Sequence, residues 1–385
     1  MLERLKNQIE QIKTDNCYRY AVNTDPFFIN MSGNDYLGIA TNQNLREEFL
    51  ELTKSKIGFG SYSSRLLAGD HSQSVMFEND LERMYNRPAL AFNSGYHANC
   101  GLLPAITTKT DLIIADKMIH ASTIDGIRLS DAHFERFKHN DVNHLIRIIE
   151  KFKGKFDNII IAVESIYSMD GDMAPLKEIV DIKNKYGAFL IVDEAHSLGL
   201  YGETGLGLCQ ELGIMDDVDI IIGTLGKAIA SVGAFVICHS VVKEFLINRM
   251  RSFIFTTALA PINFAWSRFV MNKVQSMNHE REYLKSISSN LRSAITNNGF
   301  KTLGESAIVP FMAFDNSLAL QWYEIFKNNH IDARPVRYPT VPQGTARIRF
   351  SLSATLTTED INKVSSIIGT LPVSINQTST IINEQ

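Results

Sequence analysis

The chain has 385 residues, of which 45% are hydrophobic and 21% are charged, and its formal net charge is -4. This length and apolar content suit one large or two moderate domains with a well-buried core. The lack of a basic excess argues against a nucleic-acid-binding protein, and no apolar run approaches the roughly 18 residues that a membrane span requires.

The cysteines and the N-terminus point to a reducing compartment. The four cysteines are scattered and form no CxxC pair, which indicates reduced thiols rather than disulfides. The N-terminal residues are amphipathic and lack the apolar core of a signal peptide. We therefore expect a soluble cytoplasmic protein that binds no metal, no nucleic acid and no membrane.

The first elements along the chain are short. Residues 1–15 carry apolar side chains at helical spacing, which predicts an outlying amphipathic helix. Residues 27–31 read as a short strand, residues 58–65 form a small-residue loop, and residues 71–85 are again helical.

The middle of the chain alternates apolar runs with helical periodicity. Helices such as 145–152 and 176–186 separate seven predicted strands, which are 89–92, 112–115, 133–137, 159–163, 189–192, 220–222 and 234–237. This alternation predicts an α/β protein whose mostly parallel seven-stranded sheet has helices on both faces.

The C-terminal third has a different order of predicted helices and strands. A charged helix begins near residue 278, and strands at 308–313 and 347–351 mix with helices at 317–328 and 358–368. We therefore expect a smaller α/β domain here, whose polar tail from residue 376 frays. The predicted parts are an N-terminal segment at 1–45, a large domain at 46–277 and a small domain at 278–385.

Two adjacent apolar runs end in side chains that can carry chemistry. One delivers Asp193 and His196, and the next delivers Lys227 after the residues Gly-Thr-Leu-Gly. Ligands of open α/β sheets bind beyond the carboxyl ends of the strands, so we expect these side chains around one pocket. A desolvated lysine amine forms imines with aldehydes, and a carboxylate keeps the pyridine nitrogen of pyridoxal 5'-phosphate protonated. The pattern therefore favours that cofactor, although a lone lysine after a strand is more often a solvated side chain.

The other groups that this cofactor needs follow neighbouring strands. Ser94, Gly95 and Tyr96 come after the strand at 89–92 and open a helix, where backbone N–H groups bind phosphate. Thr224 adds a hydroxyl, and His120 is expected to lie flat on the pyridine ring. Each signal alone is weak, because such residues usually serve turns or the core. Independent turns would not be expected to supply all of them in one crevice.

Residues 193–196 also spell the DEAH motif of helicase-type ATPases. That function requires an upstream GxxxxGK[ST] phosphate loop, and the sequence contains none. The glycine-lysine pair at 226–227 lies downstream, has a different glycine spacing and lacks Ser or Thr after the lysine. The sequence therefore argues against an ATPase.

Several stretches together resemble a known family, the α-oxoamine synthases, which are fold-type-I, pyridoxal-phosphate-dependent acyltransferases. The matching residues are 34–38, 165–172, 192–199, 223–228 and 346–349. They occur in the family's order over nearly the whole chain. The sequence departs from the family at Ser197, where many members have glycine, and at 228–230, which lack a glycine-rich run. Neither departure removes a reactive group, but both bear on the shape of the pocket.

The resemblance implies a role for each matched residue. Lys227 would hold the cofactor as an imine and move the substrate Cα proton, Asp193 would pair with the ring nitrogen, and His120 would stack on the ring. The other implied roles are His196 and Ser168 near the phenolic oxygen; Ser94, Gly95, Tyr96 and Thr224 on the phosphate; Thr256 on the phosphate of a neighbouring subunit in a homodimer; Arg349 on the amino-acid carboxylate; Asn34 at the substrate edge; and Arg337 and Arg19 on the acyl or product side. For Arg19, a plain surface arginine is an equal alternative.

Within the family, the short N-terminus and residues 337–347 resemble one branch. That branch condenses L-alanine with a pimeloyl thioester, carried by coenzyme A or by acyl carrier protein, in a decarboxylating Claisen condensation of biotin biosynthesis. The alternative within the family is a 2-amino-3-ketobutyrate ligase or another synthase that uses glycine, or another amino acid, and a different acyl-CoA. A non-catalytic regulatory subunit is a third alternative, and the presence of both Lys227 and Asp193 argues against it.

Overall fold

The structure is a computed structural model that describes residues 1–20, 25, 27–53, 57–68 and 72–372. Position 71 and the tail from residue 376 lie outside the described residues. The helices are α1 (Leu2–Thr14), α2 (Gln43–Thr53), α3 (Arg65–Ala68), α4 (Ser72–Tyr85), α5 (Gly95–Ile106), α6 (Ala121–Leu129), α7 (Val142–Phe152), α8 (Leu176–Tyr186), α9 (Leu208–Glu211), α10 (Ser240–Arg249), α11 (Arg251–Ile254), α12 (Pro261–Val274), α13 (Asn278–Asn297), α14 (Asn316–Asn328) and α15 (Thr358–Thr370). The strands are β1 (Ile29–Asn30), β2 (Ala89–Phe92), β3 (Asp111–Asp116), β4 (His133–Phe137), β5 (Asn158–Glu164), β6 (Phe189–Asp193), β7 (Ile220–Thr224), β8 (Ala234–Ile237), β9 (Ile308–Phe314), β10 (Ile331–Asp332), β11 (Pro335–Val336) and β12 (Ala346–Ser351).

The chain divides into two compact units. One comprises Leu37–Tyr167 and Met173–Arg281, and the other comprises Met1–Tyr36, Ser168–Asp172 and the described residues from Glu282 onward. The three-part division predicted from the sequence stays a prediction.

A seven-stranded sheet organises the unit that holds β2 to β8. Its strand order is β2-β8-β7-β6-β5-β3-β4. The strands β4, β3, β5, β6 and β7 run parallel, whereas β8 is antiparallel to both β7 and β2. Because β8 reverses direction between them, β2 points the same way as β7. The predicted mostly parallel seven-stranded sheet is therefore confirmed.

The strands in the middle of this sheet are apolar because both of their faces are covered. Ile220, Ile221 and Ile222 are all buried, as expected for a strand that helices cover on both sides. The edge strand β4 instead has two exposed positions, two half-buried positions and one buried position. At Gly223 a Cβ would lie 2.2 Å from the ring of Phe235, so glycine leaves the space that this ring occupies against β7.

The topology brings six strand ends to one edge of the sheet. The strands β2, β3, β4, β5, β6 and β7 all point the same way, so the segments after them share that edge. Polar residues end or follow these strands, in chain order Ser94, Asp116, His120, Glu164, Asp193, His196, Thr224 and Lys227. This edge is where an open α/β sheet binds its ligand.

The other unit is built on smaller sheets. Strands β11, β12 and β9 form an antiparallel sheet, and β1 pairs with β10 in parallel. The strand predicted at 27–31 was wrong in length, because Phe27 and Phe28 lie in a turn that the Phe28 N–H closes on the Asp25 carbonyl. Within the described ranges, no helix is both long and apolar enough to cross a membrane.

One short helix begins where the sequence predicted only a loop. The small-residue segment at 58–65 ends in Arg65, which starts α3. The Arg65 guanidinium pairs with the buried carboxylate of Glu78 at 2.6 Å and lies over the ring of Phe253. This buried ion pair gives the segment a fixed end, and such long-range pairing leaves no local signal in the sequence.

Candidate active site

The predicted lysine and histidine meet at the carboxyl edge of the sheet. Lys227 follows β7 and His196 follows β6, and their Nζ and Nε2 atoms lie 2.8 Å apart. The register places Asp193 opposite Ile222 on these paired strands. His196 is buried and Lys227 is half-buried. The amine is therefore held by an imidazole rather than standing as a solvated lysine.

Asp193 ends β6 as a buried carboxylate that N–H groups hold in place. Its Oδ2 accepts a hydrogen bond from the Asn99 side chain at 2.8 Å, and its Oδ1 accepts one from the Ala195 backbone at 2.9 Å. Only 5% of the residue is exposed. Two fixed donors orient the carboxylate for a cationic partner. Sequence reasoning missed Asn99, although a buried amide one turn into the helix that Ser94 caps was the available signal.

His120 follows β3 and caps the start of α6. Its Nδ1 lies 2.7 Å from the Ser122 Oγ and accepts the Ser122 backbone N–H. Burial lowers the pKa of His120, and the charge of Lys227 lowers it further, although Asp193 opposes the shift. The ring is therefore neutral at pH 7, which suits a flat apolar contact with an aromatic ligand.

The start of α5 offers a phosphate-sized cradle. Ser94 is its N-cap and accepts the backbone N–H of His97 at 3.2 Å. A Cβ added at Gly95 would lie 2.6 Å from the Thr224 methyl group, so the side chain of residue 95 must be absent. The Thr224 Oγ1 is buried and finds no hydrogen-bond partner within the described part of the chain. A buried hydroxyl without a partner beside a helix N-terminus is what a bound phosphate would satisfy.

Two predicted phosphate residues lie close to this cradle in sequence or in space. The Tyr96 side chain is half-exposed, and its hydroxyl donates to Asp125. The Thr256 Oγ1 accepts a hydrogen bond from the Asn93 side chain of the same chain at 3.1 Å. Its predicted reach to a neighbouring subunit's phosphate stays a prediction.

Gly95→Ala tests the cradle directly. The new methyl group would meet the Thr224 side chain at 2.6 Å, so we expect cofactor affinity to fall by at least about tenfold, a loss of roughly 1.4 kcal/mol. Fluorescence titration of the cofactor-free protein with pyridoxal phosphate measures it. Gly60→Ala is the control, because nothing lies within 4 Å of a Cβ at Gly60. Equal affinities for the two variants would refute the cradle.

The residues predicted to bind the amino-acid substrate, Arg349 and Asn34, lie in the unit that is built on the smaller sheets. The Arg349 guanidinium donates from Nε to the Ser168 carbonyl at 2.6 Å and from Nη2 to the Asn34 Oδ1 at 3.2 Å. The same Asn34 oxygen accepts the hydroxyls of Ser351 and Tyr36, each at 3.2 Å. Asn34 therefore fixes the direction of Arg349. Its own approach to a substrate stays a prediction.

The two remaining arginines also lie in this unit. Arg337 donates to the backbone carbonyls of Asn16 and Tyr18, and Arg19 donates to the Thr340 hydroxyl. Burial lowers the pKa of Arg337; the Cys17 thiol opposes this shift, and the charge of Arg19 adds to it. The place of both arginines on the acyl or product side stays a prediction.

The structure shows the surroundings of Ser197, which stands where many members of the family have glycine. Its side chain is fully buried, and its hydroxyl lies 2.8 Å from that of Ser165 and 3.2 Å from the Glu194 carbonyl. The serine therefore makes a hydrogen bond within the protein interior.

Sequence reasoning also missed the role of Arg347. This arginine forms a buried ion pair with Asp170, a residue of the matched stretch 165–172.

Comparisons with known proteins identify the family of the chain. The family model of aminotransferase class I and II matches residues 27–368. A Haemophilus influenzae protein named "Putative 8-amino-7-oxononanoate synthase" is 42% identical over 375 residues, covering 94% of this chain and 99% of that protein. The 8-amino-7-oxononanoate synthase of Francisella tularensis has a TM-score of 0.75 at 28% identity and covers 90% of this chain and 98% of its own. Serine palmitoyltransferase from S. paucimobilis, solved with a bound PLP–myriocin aldimine, has a TM-score of 0.86 at 27% identity and covers 95% and 96%.

The cofactor predicted from the sequence is confirmed by these relatives, and the chain's own residues fit it. The partnerless Thr224 hydroxyl and the bare Gly95 suit a phosphate, the oriented Asp193 carboxylate suits a protonated ring nitrogen, and the Lys227 amine suits an aldehyde. The cofactor is pyridoxal 5'-phosphate. The chain belongs to the α-oxoamine synthases, a family of fold-type-I, pyridoxal-phosphate-dependent transferases.

Proposed function

We propose that the protein condenses L-alanine with a pimeloyl thioester to give 8-amino-7-oxononanoate, a step of biotin biosynthesis. The net reaction joins the alanine Cα to the acyl carbonyl carbon, expels the thiol and releases the alanine carboxyl group as carbon dioxide. The observation that carries the proposal is the contact between Lys227 and His196 at the strand edge that ends in Asp193. The names of the relatives narrow it to these substrates.

Lys227 has two tasks in this proposal. Its Nζ amine would hold the cofactor at the aldehyde carbon and would be free once alanine is bound. The freed Nζ then takes the proton from the alanine Cα, a task for which general acid–base catalysis typically contributes about 10²–10⁴-fold. The bound cofactor supplies an electron sink for the charge that this proton leaves behind. His196, 2.8 Å from Nζ, orients the amine.

The remaining residues of this unit hold the cofactor in place. Asp193 would face the ring nitrogen, and the neutral His120 ring would cover the pyridine. Ser94, Gly95, Tyr96 and Thr224 bind the phosphate. We further propose that Thr256 reaches the phosphate bound by a neighbouring subunit, which requires a homodimer.

A second set of residues is proposed to bind the substrates. Arg349 binds the alanine carboxylate, because a guanidinium fork matches a carboxylate, and Asn34 keeps that fork oriented. Ser168 hydrogen-bonds near the phenolic oxygen of the cofactor, together with His196. Arg337 and Arg19 are proposed for the acyl or product side, because a guanidinium group suits the free carboxylate of a pimeloyl chain. We expect the enzyme to work in the cytoplasm.

A second candidate within the family uses glycine, or another amino acid, and a different thioester. The likeness to serine palmitoyltransferase, with a TM-score of 0.86, supports this second candidate function. One methyl group in a pocket is worth only about 1–3 kcal/mol, so discrimination between alanine and glycine is modest.

A product assay separates the two candidates. L-alanine and glycine are each paired with pimeloyl, acetyl and succinyl thioesters of coenzyme A, and with pimeloyl acyl carrier protein, and the products are identified by mass. We expect L-alanine with a pimeloyl thioester to turn over at least about tenfold faster than glycine with any partner. Faster turnover of glycine with acetyl-CoA would overturn the proposal in favour of the ligase.

A further inference from the structure

Three buried carboxyl groups stand side by side at the functional edge of the sheet. Asp116, Glu164 and Asp193 end the neighbouring strands β3, β5 and β6, and they are 0%, 2% and 5% exposed. Glu164 lies between the other two, and its register partner on β6 is Asp193 itself. The mechanism above uses Asp193 and leaves Glu164 without a task.

The outer two carboxylates are well supplied with hydrogen-bond donors. Asp116 accepts the backbone N–H groups of Met118 and Asn140 at 2.7 and 2.9 Å, and its Oδ1 lies 2.9 Å from the His139 Nδ1. Asp193 has the Asn99 amide and the Ala195 N–H. Both groups therefore have the partners that a buried anion requires.

Glu164 has no comparable support. Its Oε1 is buried and has no hydrogen-bond partner anywhere in the described ranges. The groups that face it are Asp193 from β6, Asp116 from β3, Lys227 from the segment after β7, and the backbone N–H of His120 at the start of α6. Burial raises the pKa of Glu164 well above its ordinary value, the charges of Asp193 and Asp116 raise it further, and Lys227 and the His120 N–H oppose the shift only in part.

We propose that Glu164 is a neutral carboxylic acid near pH 7 and is a positioning residue that keeps the single negative charge of the Glu164–Asp193 pair on Asp193. Carboxyl groups on neighbouring strand ends cannot all ionise when they are buried together, so one of them must keep its proton. The oxygen of Glu164 without a partner identifies which one. Asp193 then remains the counterion of the ring nitrogen over the working pH range. Only this last consequence rests on the role proposed for Asp193.

The inference predicts a pH dependence of stability with a definite sign. The pKa of Glu164 is raised in the folded state, so its contribution to stability is fully present below its unfolded pKa and is lost as the pH rises towards the folded one. Above about pH 5 the equilibrium constant for unfolding of the wild type should rise relative to that of Glu164→Gln, by up to about tenfold per pH unit. An amide does not titrate, so the variant lacks this slope.

The infrared absorbance of the full-length protein, compared between the wild type and Glu164→Gln under the same conditions, tests the charge state itself. We expect a carbonyl stretch of a protonated carboxyl at neutral pH in the wild type, and its loss in Glu164→Gln. Glu194 is the matched control, because it is also buried and burial raises its pKa, but the Leu208 and Cys209 N–H groups hold it. The Glu164 band should survive in Glu194→Gln. Denaturant titrations from pH 5 to 8 add the stability slope, with the exposed Glu178→Gln as the second control.

Each outcome decides the inference. A wild type without the band, a band that disappears only in Glu194→Gln, or parallel stability slopes for wild type and Glu164→Gln would overturn it. If Glu164→Gln does not fold, carbon-13 labelling of glutamate in Glu194→Gln must shift the remaining band, and an unshifted or absent band overturns the inference. A failure of the substrate proposal would appear in the product assay and leave the band unchanged.

Discussion

Lys227→Ala is expected to lose both the covalent bond to the cofactor and turnover. The amine that lies 2.8 Å from the His196 Nε2 is proposed both to hold the cofactor and to take the substrate proton. Its removal should therefore lower kcat by on the order of 10²–10⁴-fold. Absorption spectra should show free pyridoxal phosphate that dialysis removes, and a turnover assay with L-alanine and pimeloyl-CoA measures the rate.

The control separates loss of the amine from loss of a charge. Lys177→Ala removes an exposed lysine from α8 and should change neither the spectrum nor the rate. Circular dichroism should show that both variants are folded. A Lys227→Ala protein that keeps a covalent cofactor absorbance and near-normal turnover would exclude Lys227 from both tasks.

Asp193→Asn is expected to have the second-largest effect. The substitution keeps the side-chain shape but removes the charge that is proposed to face the ring nitrogen. Its new NH₂ group also conflicts with a donor, either the Asn99 amide or the Ala195 N–H. Breaking one partner of a buried charge pair costs about 2–5 kcal/mol, so kcat should fall by on the order of a hundredfold or more. Single-turnover kinetics with L-alanine check this by following loss of the alanine Cα proton.

The matched control is Asp181→Asn, which removes an exposed carboxylate from α8 and should leave the rate unchanged. The position of the cofactor's absorption band gives an independent readout, because it depends on the protonation of the ring nitrogen. A normal rate of Cα proton loss in Asp193→Asn would contradict the role proposed for Asp193.

The sequence predicted the large sheet well because each of its strands has a recognisable local pattern of apolar residues. Runs such as 220–222 and 234–237 are apolar without interruption, and their ends lie within two residues of β7 and β8. The same patterns predicted that Asp193, His196 and Lys227 follow neighbouring strands. Strand order then brings them to one edge, and the contact between Lys227 and His196 follows from that topology.

The missed features depend on pairs that are far apart in the chain. Asn99 holds Asp193 across 94 positions, and Asn34 holds Arg349 across 315. Glu164 becomes unusual only when the register places it opposite Asp193 and the strand order places β5 between two other strands that end in carboxyl groups. No window of the sequence contains both members of such a pair. Burial and register, which decide their chemistry, are properties of the folded chain.

The proposed function depends first on a bond between the Lys227 amine and the aldehyde carbon of pyridoxal phosphate. Borohydride reduction of the full-length protein, followed by proteolysis and mass spectrometry, detects that bond. We expect one phosphopyridoxyl group per chain, on the peptide that contains Lys227. A reduced cofactor attached to a different lysine, or a protein that binds pyridoxal phosphate without any covalent attachment, would contradict it.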